Sequence, residues 1–268
     1  MVSRGDELAV AMICPDPAKG AMRFSVVVPM KNEAGNAATL IAGIAAACAP
    51  IGPFELIVVD DGSTDDTSAV LTGLAASRGW MRVLAHDRSG GQSAAVHSGV
   101  LAATADIVCT LDGDGQNPPD QLPVILAPLL APGAAPGLAL VAGQRKGRKD
   151  TWSKRLASLA ANRIRSTILK DGTRDTGCGL KAFRRSAFLA LPYFNHMHRY
   201  LPALFARDGW QIALVDVTHR ARVEGTSNYS NFGRAVVGLF DLAGVAWLLR
   251  RRKQAVPHEV DLSRGRMP

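Results

Sequence analysis

Short runs of β-branched and apolar residues alternate along this chain with longer stretches in which apolar residues recur every three or four positions. The runs are FSVVVP (24–29), FELIVV (54–59), MRVLAH (81–86), IVCTL (107–111) and LALVAGQR (138–145), and each reads as a buried strand. Between them NAATLIAGIAAACA (36–49), a stretch from about Asp65, the segment around AAVHSGVLAATA (94–105) and residues 120–130 carry the helical period. Repetition of strand, helix and strand predicts βαβ units, an α/β class and a sheet that is largely parallel. Further on come a basic amphipathic helix, SKRLASLAANRIRSTIL (153–169), and a turn with a short strand in DTGCGLKAFRRSAF (175–188). A helix in HMHRYLPALFARDG (196–209), a strand in QIALVDVTHRAR (211–222) and a last helix, NFGRAVVGLFDLAGVAWLLRRRK (231–253), follow.

Polar residues gather where the strands end, the edge at which open α/β sheets bind ligands. Asn32 and Glu33 follow the first strand, and Asn32 or Asn36 can cap the helix after it. Asp60 and Asp61 end the second. Ser63, Thr64, Asp65 and Asp66 have a sufficient role at a helix start, but adjacent carboxylates repel unless donors or a cation satisfy them, and a nucleoside offers such donors. The fourth strand runs into Asp112, Gly113, Asp114 and Gly115. Carboxylates at i and i+2 can converge on one hard cation, with Gln116 as a further oxygen ligand, a set suited to Mg²⁺ or Mn²⁺ shared with a phosphorylated substrate. An ordinary turn accounts for Asp and Gly there as well. A calcium loop fails, because Asn117 and Pro123 stand where glycine and glutamate are needed. Gly90, Gly91 and Gly99 permit close backbone approach, and a phosphate-cradling loop fits in this segment, although neither GxxxxGK[ST] nor GxGxxG occurs. His97 reads as a packing or polar-face histidine rather than a catalyst. The fifth strand delivers Arg145 to the edge that holds Asp112 and Asp114.

Charge sharpens the picture. The 268 residues carry a formal net charge of +8, concentrated in two clusters, one between Arg145 and Arg165 and one at Arg250, Arg251, Arg252 and Lys253. A polyanionic partner follows: phosphorylated substrate, anionic lipid or nucleic acid. Nucleic acid lacks a recognisable binding module here, and few aromatics lie among the basic residues. The four cysteines have no CxxC pairing, which argues for buried thiols in a reducing compartment and against a zinc site. Residues 1–22 read as a flexible arm that fails as a secretion signal, 23–230 as one domain, 231–253 as an amphipathic helix attracted to an anionic membrane surface, and 254–268 as a tail.

Taken together, VVVPMKNEAGN, ELIVVDDGSTDDT, the long segment from GGQSAAVHSG to LDGDGQNPPDQLP, AGQR, DTGCGLKAFRR and HRARVEGTSNY resemble the family 2 glycosyltransferases. More narrowly, the chain is similar to the dolichol-phosphate mannosyltransferase and bacterial polyprenyl-phosphate glycosyltransferase branch. That resemblance implies a GT-A fold, a Rossmann-like three-layer arrangement around a mixed, mostly parallel sheet. It also implies an inverting transfer of a mannose- or glucose-like hexose from GDP-mannose or a UDP-hexose to a polyprenyl phosphate. Pro29, Asn32, Glu33, Asp60 and Asp61 would hold the nucleoside, and Asp112 and Asp114, with Gln116, would hold Mg²⁺ or Mn²⁺. Arg145, Lys154, Arg155 and Ser158 would grip the acceptor phosphate, while Arg222 and Ser227 would close over the donor diphosphate. The branch often has lysine after that serine, where this chain has Asn228; spacing does not choose between Lys154 and Arg155. A peripheral position on the cytoplasmic face of a membrane is implied, with room for a separate membrane partner protein.

The chemistry is consistent with what the sequence lacks. A phosphate monoester is largely dianionic at neutral pH, so such an acceptor needs no general base, and no GxSxG elbow or Cys/His pair occurs. Two other readings remain: a family 2 enzyme with a sugar or other hydroxyl acceptor, which would need a general base near Asp112, and a nucleotide- or nucleic-acid-binding protein without turnover.

Overall fold

The structure is a computed structural model and describes residues 22–145, 165–169, 171–218, 231–252 and 255. Seven strands form one sheet: β1 (Phe24–Met30), β2 (Phe54–Asp60), β3 (Met81–Ala85), β4 (Ile107–Thr110), β5 (Leu138–Arg145), β6 (Lys181–Arg184) and β7 (Gln211–Val217). Their order across the sheet is β3-β2-β1-β4-β6-β5-β7. All neighbours are parallel except β6, which runs antiparallel to both β4 and β5. The mixed, mostly parallel sheet expected of the sequence is therefore present.

Helices cover both faces because the inner strands are apolar on both. Val26 and Val28 of β1 and Leu56 and Val58 of β2 face one core. It is completed by α1 (Ala34–Cys48), Leu71 of α2 (Thr67–Ala76) and α4 (Leu122–Leu130). Val27, Ile57 and Val59 face the other core, closed by α3 (Gln92–Ala102), α5 (Arg185–Leu189), α6 (Leu201–Arg207) and part of α7 (Asn231–Arg250). Near-continuous hydrophobic strands are what a sheet buried on both sides requires. The cysteines Cys48, Cys109 and Cys178 are free and buried in the first core, and burial pushes their thiols up.

Local differences from the sequence reading have physical causes. Asn32 does not cap α1; it adopts a left-handed backbone, φ 55°, and its Oδ1 accepts the Thr64 N–H at 2.8 Å, tying the first loop to the second. Nor does Asn36, which lies inside α1 and donates to Glu33 Oε2 at 2.6 Å. Neither Ser63 nor Thr64 caps α2, since Asp65 receives the Thr67 N–H at 3.0 Å instead. The stretch 196–209 is not one helix. His196 is left-handed, φ 66°, and Pro202 lies in the first turn of α6, so a 3₁₀ turn (Met197–Arg199) precedes that helix.

Topology makes one edge chemically special. Because β1, β2, β4 and β5 point the same way, the residues after Met30, Asp60 and Thr110 emerge there, and β5 ends there at Arg145. Chain order changes direction between β1 and β4, the crevice where α/β sheets take ligands. β6 begins at the same edge, with Lys181 paired to Thr110. Close packing beneath it depends on Gly99 of α3, where a Cβ would lie 2.4 Å from Val27 Cγ1 and 3.2 Å from Val59 Cγ2. Gly99→Ala is expected to destabilise the protein by about 1–3 kcal/mol despite alanine's better helix propensity, read as a lowered denaturant midpoint.

Candidate functional site

Asp61 emerges from β2 with its carboxylate saturated. It is 4% exposed and accepts four hydrogen bonds: His86 Nδ1 at 2.7 Å, Ser89 Oγ at 2.7 Å, Gly90 N–H at 2.8 Å and Gly91 N–H at 2.8 Å. His86 in turn meets Ser98 Oγ at 2.9 Å. Burial pushes this carboxyl up, but the His86, glycine and serine donors outweigh it and hold the group below its usual range. Neighbouring Asp60 accepts the Ser63 N–H at 3.0 Å. Both acids thus find donors within the chain, four for Asp61 and one for Asp60. The glycine amides at 90 and 91 are correspondingly spent on a carboxylate in place of a phosphate.

Asp112 follows β4 and touches Gly179 so closely that a Cβ there would lie 2.0 Å from Asp112 Oδ1. Its Oδ1 accepts Gln92 Nε2 at 2.6 Å and its Oδ2 accepts Asn117 Nδ2 at 3.1 Å. Burial and the like charge of Asp114 push the Asp112 carboxyl up to about 6, against the opposing pull of Lys181, Arg145 and Gln92. Asp114 Oδ1 accepts the Gln116 N–H at 3.1 Å, so the chain folds tightly over this pair. A further sign lies beside them. Asn117 is 2% exposed, and its Oδ1 has no hydrogen-bond partner.

These residues fit a hard divalent cation. Two carboxylates and amide oxygens are the donor types Mg²⁺ and Mn²⁺ take, a cation relieves the repulsion that raises Asp112, and Asn117 Oδ1 is an uncommitted acceptor next to it. Among the described residues no group of three or more His, Cys, Asp or Glu converges.

Cationic groups stand on the other side. Arg145 makes a fork with Asp175, Nε to Oδ2 at 2.5 Å and Nη2 to Oδ1 at 2.9 Å, and this partner raises its already high pKa. Gln144 Oε1 accepts the N–H groups of Arg174 and Asp175, which fixes that loop. Lys181, only 3% exposed, donates to the Cys178 carbonyl. Pro29, Gln92, Asp112, Gly179, Lys181 and His198 line one small pocket together with apolar neighbours. His198 meets Ser93 Oγ at 2.8 Å, and burial together with nearby cations pushes its ring down to about 3, so it is neutral at pH 7.

The structure thus brings together Pro29, Asp112, Asp114, Gln116 and Arg145, with Asn32, Glu33, Asp60 and Asp61 along the same edge. Lys154, Arg155, Ser158, Arg222, Ser227 and Asn228 lie outside the described residues. Sequence reasoning missed Gln92, Asn117, Lys181 and His198. The pairing of β6 with β4 would have found Lys181, but a short strand carries no signal of its partner. His97 packs between Phe188 and Tyr193, and burial lowers its pKa, as a packing histidine should behave.

Comparison with known proteins adds to this geometry. A family model described as glycosyl transferase family 2 matches residues 25–191. An undecaprenyl-phosphate 4-deoxy-4-formamido-L-arabinose transferase of Enterobacter sp. (strain 638) is 34% identical over 225 residues, covering 82% of this chain and 66% of the relative. A dodecaprenyl-phosphate galacturonate synthase of Rhizobium johnstonii is 33% identical over 240 residues, covering 88% and 69%. The chain therefore spans about two thirds of the length of these relatives. Among solved structures, Mycobacterium tuberculosis glucosyl-3-phosphoglycerate synthase with Mn²⁺, UDP and phosphoglyceric acid superposes with a TM-score of 0.63 at 21% identity, covering 95% of this chain and 85% of that one. The same enzyme with Mg²⁺ and UDP gives 0.62 at 22%, covering 91% and 84%. The likeness is one of fold, the GT-A arrangement expected from the motifs.

Asp61 generates a pH-dependent prediction. A carboxyl held low in the folded state contributes stability above its ordinary pKa and loses that contribution as pH falls through the folded value. Asp61→Asn is expected to cost about 2 kcal/mol or more at pH 7, with the gap to the natural chain narrowing toward pH 3, measured by urea midpoints at both.

Proposed function

The chain belongs to glycosyl transferase family 2, and from that premise we propose that it moves a sugar from a nucleotide-sugar to a polyprenyl phosphate with inversion at the anomeric carbon. The observation that carries the reading is the acid pair Asp112 and Asp114 at the switch point of the sheet, faced across the same edge by Arg145 and Lys181. An acidic pair suits a cation on the donor diphosphate; a basic flank suits a second anion brought to it. The lipid acceptor is supported by relatives named for undecaprenyl and dodecaprenyl phosphate.

In this reading Glu33, Asn32, Pro29, Asp60 and Asp61 shape the nucleoside end, Asp61 by fixing the loop at 89–91. Asp112, Asp114 and Gln116, with Asn117 added by the fold, would hold Mg²⁺ or Mn²⁺, which neutralises charge on the leaving diphosphate. Arg145, together with Lys154, Arg155 and Ser158, receives the acceptor phosphate. Its fork to Asp175 uses two of five N–H groups and orients the rest. Arg222 and Ser227 are assigned to the diphosphate. The acceptor phosphate oxygen is itself the nucleophile, and its dianion needs no base.

The sugar is drawn more broadly than the mannose- or glucose-like hexose of the motif reading, because the relatives are named for a formamido-arabinose and a galacturonate. The last helix is assigned to a membrane surface. Leu239, Phe240 (75% exposed) and Trp247 (59%) point outward while Leu242 and Val245 anchor the helix, and Arg250, Arg251 and Arg252 follow. No helix among the described residues is long and apolar enough to cross a membrane. A peripheral position on the cytoplasmic face, and a separate membrane partner, belong to the same proposal.

Calorimetric titration with GDP, UDP and their sugar conjugates, with and without Mn²⁺, is expected to give Mn²⁺-dependent binding of one nucleotide class. Absence of binding to all of them by folded protein would overturn the reading. Asp112→Asn should remove that Mn²⁺ dependence and lower transfer by about 10²-fold or more. Vesicles containing anionic lipid should retain the protein at low salt and release it as salt rises, and Phe240→Asp should weaken retention; indifference to both sinks the assignment of the helix.

A further inference from the structure

Gln144 and Arg145 are consecutive at the end of β5, and successive side chains of a strand point to opposite faces. Both hold the segment 174–177. Gln144, only 1% exposed, accepts the Arg174 N–H at 2.9 Å and the Asp175 N–H at 3.0 Å through one oxygen, while its Nε2 donates to the Gly143 carbonyl at 3.1 Å. A buried amide is thus spent on a loop backbone. The same loop turns the Asp175 carboxylate onto Arg145, and the Gly177 N–H donates to Asp175 Oδ1 at 3.0 Å. Just before it, the buried Asp171 receives the Thr173 N–H at 3.1 Å and Arg165 Nη1 at 2.7 Å, so the approach to the loop is tied down as well.

A guanidinium offers an anion two forked edges, the side edge of Nε with one Nη and the end edge of the two Nη groups. In Arg145 the side edge is taken, because Nε and Nη2 both meet Asp175. The end edge remains. Asp112 is near enough to raise the Arg145 pKa further, which sets the guanidinium beside the acid pair. Two terminal oxygens of a phosphate monoester match a forked edge, whereas a hydroxyl does not.

We propose that Asp175 and Gln144 are positioning residues for the acceptor: Gln144 fixes the backbone that carries Asp175, and Asp175 takes the side edge of Arg145 so that the end edge alone is presented to the acceptor phosphate. The inference rests on the assignment of Arg145 to that phosphate above. Charge and geometry predict opposite effects here. An acid acting through its charge alone repels phosphate, so its removal tightens binding. An acid that aims Arg145 has the reverse effect, because an unaimed side chain loses rotamer freedom on binding.

The test is calorimetric titration of the full chain with farnesyl phosphate, a short polyprenyl phosphate, and with its alcohol farnesol, alongside UDP and GDP with Mn²⁺. The natural chain is expected to bind farnesyl phosphate about tenfold or more tightly than farnesol. Asp175→Asn should weaken farnesyl phosphate about tenfold and leave nucleotide binding unchanged. Gln144→Leu, which keeps every charge in place, should act in the same direction. Arg145→Lys should weaken farnesyl phosphate at least as much, and adding Asp175→Asn to it should change nothing further, since Asp175 acts through the fork. Basic residues of 146–164 and 219–230 lie outside the described residues and are common to every variant, so the differences isolate Arg145 and its two supports. Equal or tighter binding of farnesyl phosphate by Asp175→Asn or Gln144→Leu overturns the proposal, as does an additive effect in the Arg145→Lys background or an unaffected Arg145→Lys. If Asp175→Asn does not fold, Gln144→Leu decides; if neither folds, their role is structural and the proposal falls. Farnesyl phosphate bound no better than farnesol by the natural chain removes the lipid-phosphate reading as well.

Discussion

Asp112 can occupy the end of β4 only because the chain opposite carries no side chain at Gly179. A carboxylate pressed against a bare Cα, with a second carboxylate two residues on, is a costly arrangement in a protein interior. Much of the surrounding structure answers that cost. Gln92 and Asn117 donate to the two oxygens, and Lys181 and Arg145 supply opposite charge. Each comes from a different element, so the acid pair ties α3, β5 and β6 to one point.

A second carboxylate shows the other solution to the same problem. Asp61 is buried among donors alone, two of them backbone amides, and becomes a fixed part of the scaffold. Asp112 retains a raised pKa and a neighbour of like charge. Burial is common to both. What separates a structural acid from one poised for a ligand is whether the fold completes its environment.

The sequence disclosed the strands and their polar ends because both signals are local. A buried parallel strand needs a continuous apolar run, and Asp60, Asp61, Asp112 and Arg145 follow such runs directly. The family resemblance, carried by those strand ends, was legible for the same reason. In the sequence Asn117 only counts against a calcium loop, and its packing alone shows that one amide end serves Asp112 while the other has no partner. Lys181 was hidden because its meaning depends on antiparallel pairing with a strand some seventy residues earlier. Likewise, Gly90 and Gly91 were legible as a loop, but what their amides hold is fixed by tertiary contact with Asp61.

The antiparallel strand between β4 and β5 has a consequence for how the molecule is made. A chain emerging from the ribosome can assemble β1 to β4 with their helices by about residue 111, whereas β5 cannot join them until β6 has been synthesised to fill the gap. Asp112 is consequently produced before Lys181, one of the cations that oppose its charge, exists. For that interval the nascent domain has an open sheet edge, and only translation of some seventy further residues closes it.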